Sequence, residues 1–309
     1  MHFSTKLALA ATLMSIPAAV NAAPLATRDH INDGIILNYA LTLEHLENAY
    51  YTQGLKNFSS ASSFSAFPST LFPTLQTVAS DEKTHVQFLQ SALAAAGIPA
   101  VKPCTYSFPV TTPEEFVCVS GVLEGVGVTA YLGAAASIAD KLTLTAAGSI
   151  LTVEARHNSL IRAAQNQNPV PQPFDVPLDF NQVFSLASQF ITSCPPENPP
   201  LPFKAFPTLS LAKSYVGGSG HTIKTGTKIS LAPGIKTKRD GLSVAFLTVT
   251  GPIFVDAVFV DGHLDAFGHF EVVVPAGVNG QSYAVLNNGR EKVSDETIVA
   301  GPVIVEISN

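Results

Sequence analysis

The chain has no tryptophan, and only two methionines and three cysteines among its 309 residues. Without tryptophan no clear aromatic platform for sugars is in view. Charge is scarce as well: 13% of residues are charged against 46% hydrophobic. That balance excludes disorder over most of the chain and leaves enough apolar material for a sizeable core in one large or two ordinary domains. Basic residues are outnumbered, with 17 Lys and Arg against 23 Asp and Glu and a net charge of -6. No basic stripe occurs, which argues against a nucleic-acid partner. No Gly-x-Ser-x-Gly elbow or other strong nucleophile motif is found. "GGSG" at 217–220 is turn chemistry with no helix pattern to make it a phosphate loop.

Long hydrophobic runs are confined to the N-terminus. Lys6, the apolar "LALAATLMSI" and the small residues Val20 to Ala22 have the layout of a signal peptide over residues 1–22, cleaved near Ala22. No later run of about 18 apolar residues is free of charged and helix-breaking residues, so no membrane association is expected once that segment is removed. The ending "VIVEISN" lacks the polar spacer and apolar tail of a lipid-anchor signal. The expected location is secreted, either extracellular or in a cell wall.

Three cysteines suit such a compartment with one disulfide and one thiol left over. Cys104 and Cys194 both lie in Pro-flanked loops and are the favoured pair, ahead of the two pairings that involve Cys118. Cys118 falls in an apolar helical stretch, where a thiol packs as a small hydrophobe. Asn57-Phe58-Ser59 is a glycosylation sequon in an expected loop.

Helical periodicity marks four long segments. The first spans residues 30–55, with Asp29 or Asn32 as its cap and Gly54 as its end. The second runs from about Pro73 to Ala96 and stops at Gly97. The third opens at Thr112 and Pro113, with Glu114 and Glu115 suiting the helix dipole. Its glycines 121, 125, 127 and 133 would let a neighbouring helix come close. The fourth covers about residues 144–165. These make a four-helix bundle over residues 28–168. A Pro-rich segment at 169–207 with one short helix, "NQVFSLASQFI", wraps around it. From residue 208 to 309 the period changes to two, with turn signals about every ten residues, as in an immunoglobulin-like β-sandwich. The fold class is therefore α + β in separate domains.

The chemistry lies in the helices. Glu154 and His157 stand three apart on an otherwise apolar stripe, and so do Glu82 and His85. Positions i and i+3 share a helix face. A scrambled chain of this composition gives roughly 0.3 such Glu-x-x-His matches, so two, alternating with Glu-bearing helices, exceed chance. The first helix supplies Glu44 and the third Glu124, each followed seven residues later by a tyrosine, Tyr51 and Tyr131. Glu44 is preferred over Glu47, one turn on, because only Glu44 repeats that spacing. An unpaired carboxylate in such apolar surroundings costs several kcal/mol. One Glu from each of two helices plus Glu-x-x-His from each of the other two is the ligand set of dinuclear carboxylate bundles. The order Glu…Tyr, Glu-x-x-His occurs twice, as in a duplicated helix pair.

"LNYALTLEHLENAYY" resembles a first ferritin helix. "LEGVGVTAYLGAA" and "SILTVEARHNSLIRAA" resemble the ferritin-like domain of secreted fungal stress-response and late-sexual-development proteins, a group related to desiccation-associated proteins. "SCPPENPPLPFKAFPTLSL" and the "GPVIVEI" ending extend the likeness over most of the mature chain. The resemblance implies a ferritin-like bundle with Glu44, Glu82, His85, Glu124, Glu154 and His157 as ligands. Iron or manganese, as two ions, suits carboxylate-rich ligands best. Redox chemistry on oxygen or peroxide would follow, as an oxidase, ferroxidase or catalase-like activity. A second reading is a non-catalytic secreted or cell-wall stress protein, with the bundle as scaffold and the β-domain binding wall polysaccharide or another protein. A closed iron-storage shell is disfavoured by the appended domain.

Other residues carry alternatives at this stage. Tyr51 and Tyr131 are either catalytic, as proton donors or radical sites, or core packing. Asp81 either orients a ligand imidazole or is solvated. His45 lies about 100° round the helix from Glu44 and is not expected to be a ligand. His263, Asp265, His269 and Glu271 fall at even spacing on a strand pattern, where a polar solvent face competes with a second metal site.

Overall fold

The computed structural model of the chain describes residues 31–211, 223–261 and 267–308. The signal peptide at 1–22, Asp29, the turn at 217–220, and His263 and Asp265 lie outside the described residues.

Four long helices form the bundle: α1 (Asp33–Asn57), α2 (Leu71–Ala95), α3 (Pro113–Ala134) and α4 (Lys141–Ala164). α1 packs along α2 and α3 along α4. Each start has a local cause. Asn32 accepts from the Ile35 amide of α1, and Asp140 accepts from the Thr143 amide of α4 at 2.7 Å. Thr112 and Glu115 form a reciprocal capping box at the start of α3, with Pro113 at its first position. The Asp33 carboxylate accepts from the Ala139 and Asp140 amides, 2.8 Å each, tying the start of α1 to the turn before α4.

Several boundaries differ from the sequence expectation. Gly54 does not end α1, which runs on to Asn57. Gly54 is instead where Phe116 presses in, for a Cβ there would stand 2.0 Å from its ring. Asn57 is thus a helix-end residue, not a loop residue, and it is exposed. Cys118 is exposed on α3 and does not pack as a core hydrophobe. α3, with the turn that follows it, is the one described helix long and apolar enough to cross a membrane, and most of it is buried inside the protein. A bundle helix covered on all sides reads this way.

The Pro-rich segment wraps α3. Asp179 and Gln182 cap its short helix α5 (Phe180–Ala187). The Phe180 and Phe203 rings stack on each other at 5.0 Å, and both meet Tyr39 of α1 edge-on. A two-stranded ribbon pairs β1 (Thr105–Tyr106) with β2 (Ile191–Ser193), and the expected Cys104–Cys194 disulfide closes beside it across 90 residues of chain. The segment's closest approach is at Gly133, where a Cβ would be 1.8 Å from the Leu178 carbonyl oxygen.

Among the described residues eight strands follow: β3 (Leu209–Leu211), β4 (Lys228–Pro233), β5 (Leu242–Phe246), β6 (Ile253–Asp256), β7 (Val258–Val260), β8 (His269–Val273), β9 (Gly280–Asn288) and β10 (Ile298–Ile307). They form two antiparallel four-stranded sheets, ordered β3-β4-β8-β7 and β10-β9-β5-β6. Lettered in chain order with β6 as C′, these are ABED and GFCC′, the immunoglobulin arrangement with one added edge strand.

The α and β regions are separate along the chain but share a core. Ala245, Tyr283, Val285 and Ile298 from the second sheet join the cluster built on Leu46, Leu123 and Val126 of the bundle. β5 is buried at every residue, since its sheet is covered on both faces. Polar contacts fix the dock. The Tyr283 hydroxyl donates to the Gly125 carbonyl at 3.0 Å, and Gln281 Nε2 donates to the Val122 carbonyl at 3.1 Å. Gly125 is bare so that Gln281 fits: a Cβ would lie 2.4 Å from its amide oxygen. The α3 glycines therefore admit a strand at Gly125 and the Pro-rich segment at Gly133, and a neighbouring helix only at Gly121 and Gly127. Arg162 of α4, 3% exposed, holds Glu306 of β10 with two bonds of 3.0 and 2.7 Å.

The approach at Gly133 predicts that Gly133→Ala costs about 3 kcal/mol, because backbone rather than a flexible side chain must yield. Thermal unfolding should show the loss, and limited proteolysis should cut within residues 169–207. A variant with wild-type melting and cleavage would contradict this packing.

Candidate metal centre

The six expected ligands meet. Glu44, Glu82, Glu124 and Glu154 are each 0% exposed, and His85 and His157 are 8% and 4% exposed. They sit mid-helix on α1, α2, α3 and α4, so the bundle brings them to one level. Two overlapping groups result: Glu44, Glu82, His85 and Glu154, and Glu82, Glu124, Glu154 and His157. Glu82 and Glu154 belong to both.

His85 Nδ1 lies 3.3 Å from Glu44, 3.2 Å from Glu82 and 3.2 Å from Glu154. His157 Nδ1 lies 3.0 Å from Glu82 and 3.2 Å from Glu124. One ring nitrogen satisfies one hydrogen bond, yet it faces two or three carboxylates. Bonds of about 2.1 Å to one ion place neighbouring octahedral ligands about 3 Å apart, the spacing seen here. Glu44 Oε2, Glu82 Oε1 and Glu154 Oε1 have ion-pair distances to imidazole without a hydrogen bond, and Glu154 Oε2 has neither. Buried polar atoms are rarely left so. The donor set and its orphaned oxygens fit a metal.

Electrostatics agree. Burial raises Glu154 well above the usual carboxylate range, helped by repulsion from Glu82. Burial and then Glu124 push Glu82 up to about 7. For His85, burial works downward, but bonds to Glu154, Glu44 and Glu82 carry it up to about 12. For His157 the same opposition, with Glu124 and Glu82 winning, gives about 11. Without another cation the cluster keeps protons to offset its own charge.

The tyrosines cross over. Tyr51 of α1 donates to Glu124 Oε1 of α3, and Tyr131 of α3 donates to Glu44 Oε1 of α1 at 2.5 Å. The two bonds run in opposite order along the helices, as antiparallel neighbours require. Seven residues span about 10 Å of helix, so the register of α1 on α3 is fixed at two levels. Glu124 thus accepts from Tyr51 at Oε1, while its Oε2 faces His157. Asp81, left open by the sequence, holds His157 Nε2 at 3.1 Å and turns Nδ1 inward. His45 is no member of the cluster: its Nε2 meets the Val101 carbonyl at 3.2 Å.

Glu47 was set aside in favour of Glu44, but it too is buried, at 3% exposure. Burial raises its carboxyl well above the usual range, with repulsion from Glu154 and Glu82 next. It is a fifth carboxylate at the cluster, and its signal was its place one turn from Glu44 on the same apolar helix. In the sandwich, His269 is buried and Glu271 pairs with Lys228 at 3.0 Å. Neither belongs to a metal-type group among the described residues.

Comparison with known proteins gives the same picture. Residues 32–167 match the family model of the ferritin-like domain. Protein rds1 of Schizosaccharomyces pombe is 26% identical over 197 residues, which is 62% of this chain and 48% of that protein. The chain thus spans about half the length of this curated relative. A hypothetical protein of Methanococcus jannaschii, of known structure, overlaps 52% of this chain and 93% of its own at 12% identity, with a TM-score of 0.37, too loose to define a shared fold. The helices, the buried carboxylate and imidazole cluster and the family match converge: the chain carries a ferritin-like domain at residues 32–167, to which an antiparallel β-sandwich is joined.

Proposed function

We propose that the cluster holds two iron or manganese ions and supports redox chemistry on dioxygen or peroxide in a secreted protein. The observation that carries this is the pair of overlapping buried groups with Glu154 Oε2 unpartnered. Two such ions, when bound, supply one-electron steps and activation of oxygen species. The chain's own residues divide the rest of the work. Glu82 and Glu154, common to both groups, would serve both ions, while Glu44 with His85 and Glu124 with His157 would each serve one. Asp81 fixes the His157 ring. Tyr131 and Tyr51 hold Glu44 and Glu124 in place, and burial together with the carboxylate each one bonds keeps the phenolic protons on the tyrosines. Oxygen-rich donors with only two imidazoles favour iron or manganese over copper or zinc. A pure scaffold would have ligands facing solvent or satisfied among themselves, and the orphaned oxygens count against it. The Cys104–Cys194 disulfide and the exposed Asn57 sequon support an oxidising, extracellular setting.

Elemental analysis of reconstituted protein should find about two ions per chain, falling below about one in Glu82→Ala and in Glu154→Ala, since each carboxylate serves both ions. A wild type that stays metal-free would sink the reading. Binding should also release protons. The imidazoles are charged at neutral pH in the metal-free protein and must be neutral as ligands, so affinity rises with pH. Loss of the two imidazole protons, with those that Glu154 and Glu82 also keep, makes the combined constant at least about a hundredfold larger per pH unit between pH 6 and 8. Calorimetry in buffers of different ionisation enthalpy counts those protons, and a pH-independent affinity would contradict the arrangement.

A further inference from the structure

A cavity of about 550 Å³ lies between the bundle and the sandwich. That is a volume typical of sites for small organic molecules. Its walls are mainly apolar, with Leu43 and Leu46 from α1, Val126 from α3, Leu186 from α5 and Ile304 from β10. Two lining residues face the metal cluster, Glu47 and Gly127. Among the described residues Glu47 meets no hydrogen-bond donor and no cation, and the charges around it are the carboxylates of Glu154, Glu82, Glu44 and Glu124. At Gly127 a Cβ would stand 2.9 Å from Glu154 Oε2 and 3.2 Å from Glu47 Oε1. No side chain there separates the cavity from Glu154, a carboxylate common to both groups.

We propose that this cavity binds an elongated apolar molecule with a neutral hydroxyl head, which hydrogen-bonds Glu47 and faces Glu154 past Gly127. The walls select a hydrocarbon body. A hydroxyl can donate to the Glu47 carboxylate or accept from its carboxyl, whereas a head with no polar atom would leave Glu47 buried and unpaired, at a cost of a few kcal/mol. An anionic head would meet the carboxylates, and a cationic head would meet the ions behind them. The choice of head rests on the dinuclear reading; the cavity itself does not.

The test uses the purified full chain, with and without added Fe²⁺ or Mn²⁺, and two probes. 1,6-Diphenylhexatriene is a hydrocarbon dye with neither a hydrogen-bond donor nor an acceptor oxygen or nitrogen; 1-decanol has a hydroxyl. Diphenylhexatriene should bind saturably and be displaced by 1-decanol. Ile304→Trp fills the cavity and should weaken both probes by about tenfold or more. Gln189→Trp does the same from an exposed position on the rim, where the core is not disturbed. Glu47→Leu should weaken 1-decanol about tenfold relative to the hydrocarbon dye, the size of one lost hydrogen bond. Non-saturable dye uptake, tryptophan variants that melt and bind as wild type, or a Glu47→Leu variant that treats the two probes alike would each overturn the proposal. Metal content measured on the same samples separates the two ideas: saturable binding in protein that takes up no metal upholds the cavity and sinks the dinuclear reading.

Discussion

The structure depends on one electrostatic demand. Glu44, Glu47, Glu82, Glu124 and Glu154 are withdrawn from water in the middle of an apolar bundle. Each buried ion carries a penalty of several kcal/mol even after relaxation. Two imidazoles and two phenols lie within reach, which is too few partners for ten carboxylate oxygens. The bundle is organised to hold this arrangement, with every member of the cluster at mid-helix, the tyrosines crossing between α1 and α3, and Asp81 steadying His157 from outside.

α3 carries the second constraint. It contributes Glu124 to the centre, packs along α4, lies beneath the Pro-rich segment at Gly133 and receives the sheet at Gly125. From Ser120 on, the helix is covered on almost every side and has no polar face to show, which accounts for its membrane-like composition. Its glycines are points where other backbones or side chains reach it. Because β9 and β10 are bonded to α3 and α4 through Tyr283, Gln281 and the Arg162–Glu306 pair, the sandwich braces the two helices that carry Glu124, Glu154 and His157.

Much of this was legible in the sequence. The two Glu-x-x-His pairs and the repeated Glu-to-Tyr spacing located six residues of the buried cluster, because helical periodicity translates spacing directly into a shared face. The Pro-flanked cysteines gave the disulfide, and the period of two gave the sandwich. The failures have a common cause. Gly54, Cys118 and the α3 glycines were read by local propensity, whereas tertiary neighbours decided them: Phe116 at Gly54, Leu178 at Gly133 and Gln281 at Gly125. Glu47 was weighed as a rival to Glu44, and a one-dimensional pattern does not reveal that both fit around one centre. Which sheet face docks on which helix leaves no periodic trace, so the shared core was not foreseen.

Gly127 ties these threads together. Gly127 lines the cavity, and a methyl group added there would stand 2.9 Å from Glu154 Oε2, too close unless that carboxylate or the helix gives way. A glycine codon becomes an alanine codon by one base change. A lineage could therefore alter the contact between chamber and carboxylates in one mutational step, leaving the helices, the sandwich and the cluster residues unaltered in sequence. Two proteins with all six ligands in common could differ in what their buried cluster encounters, and residue 127 is where that difference would be written.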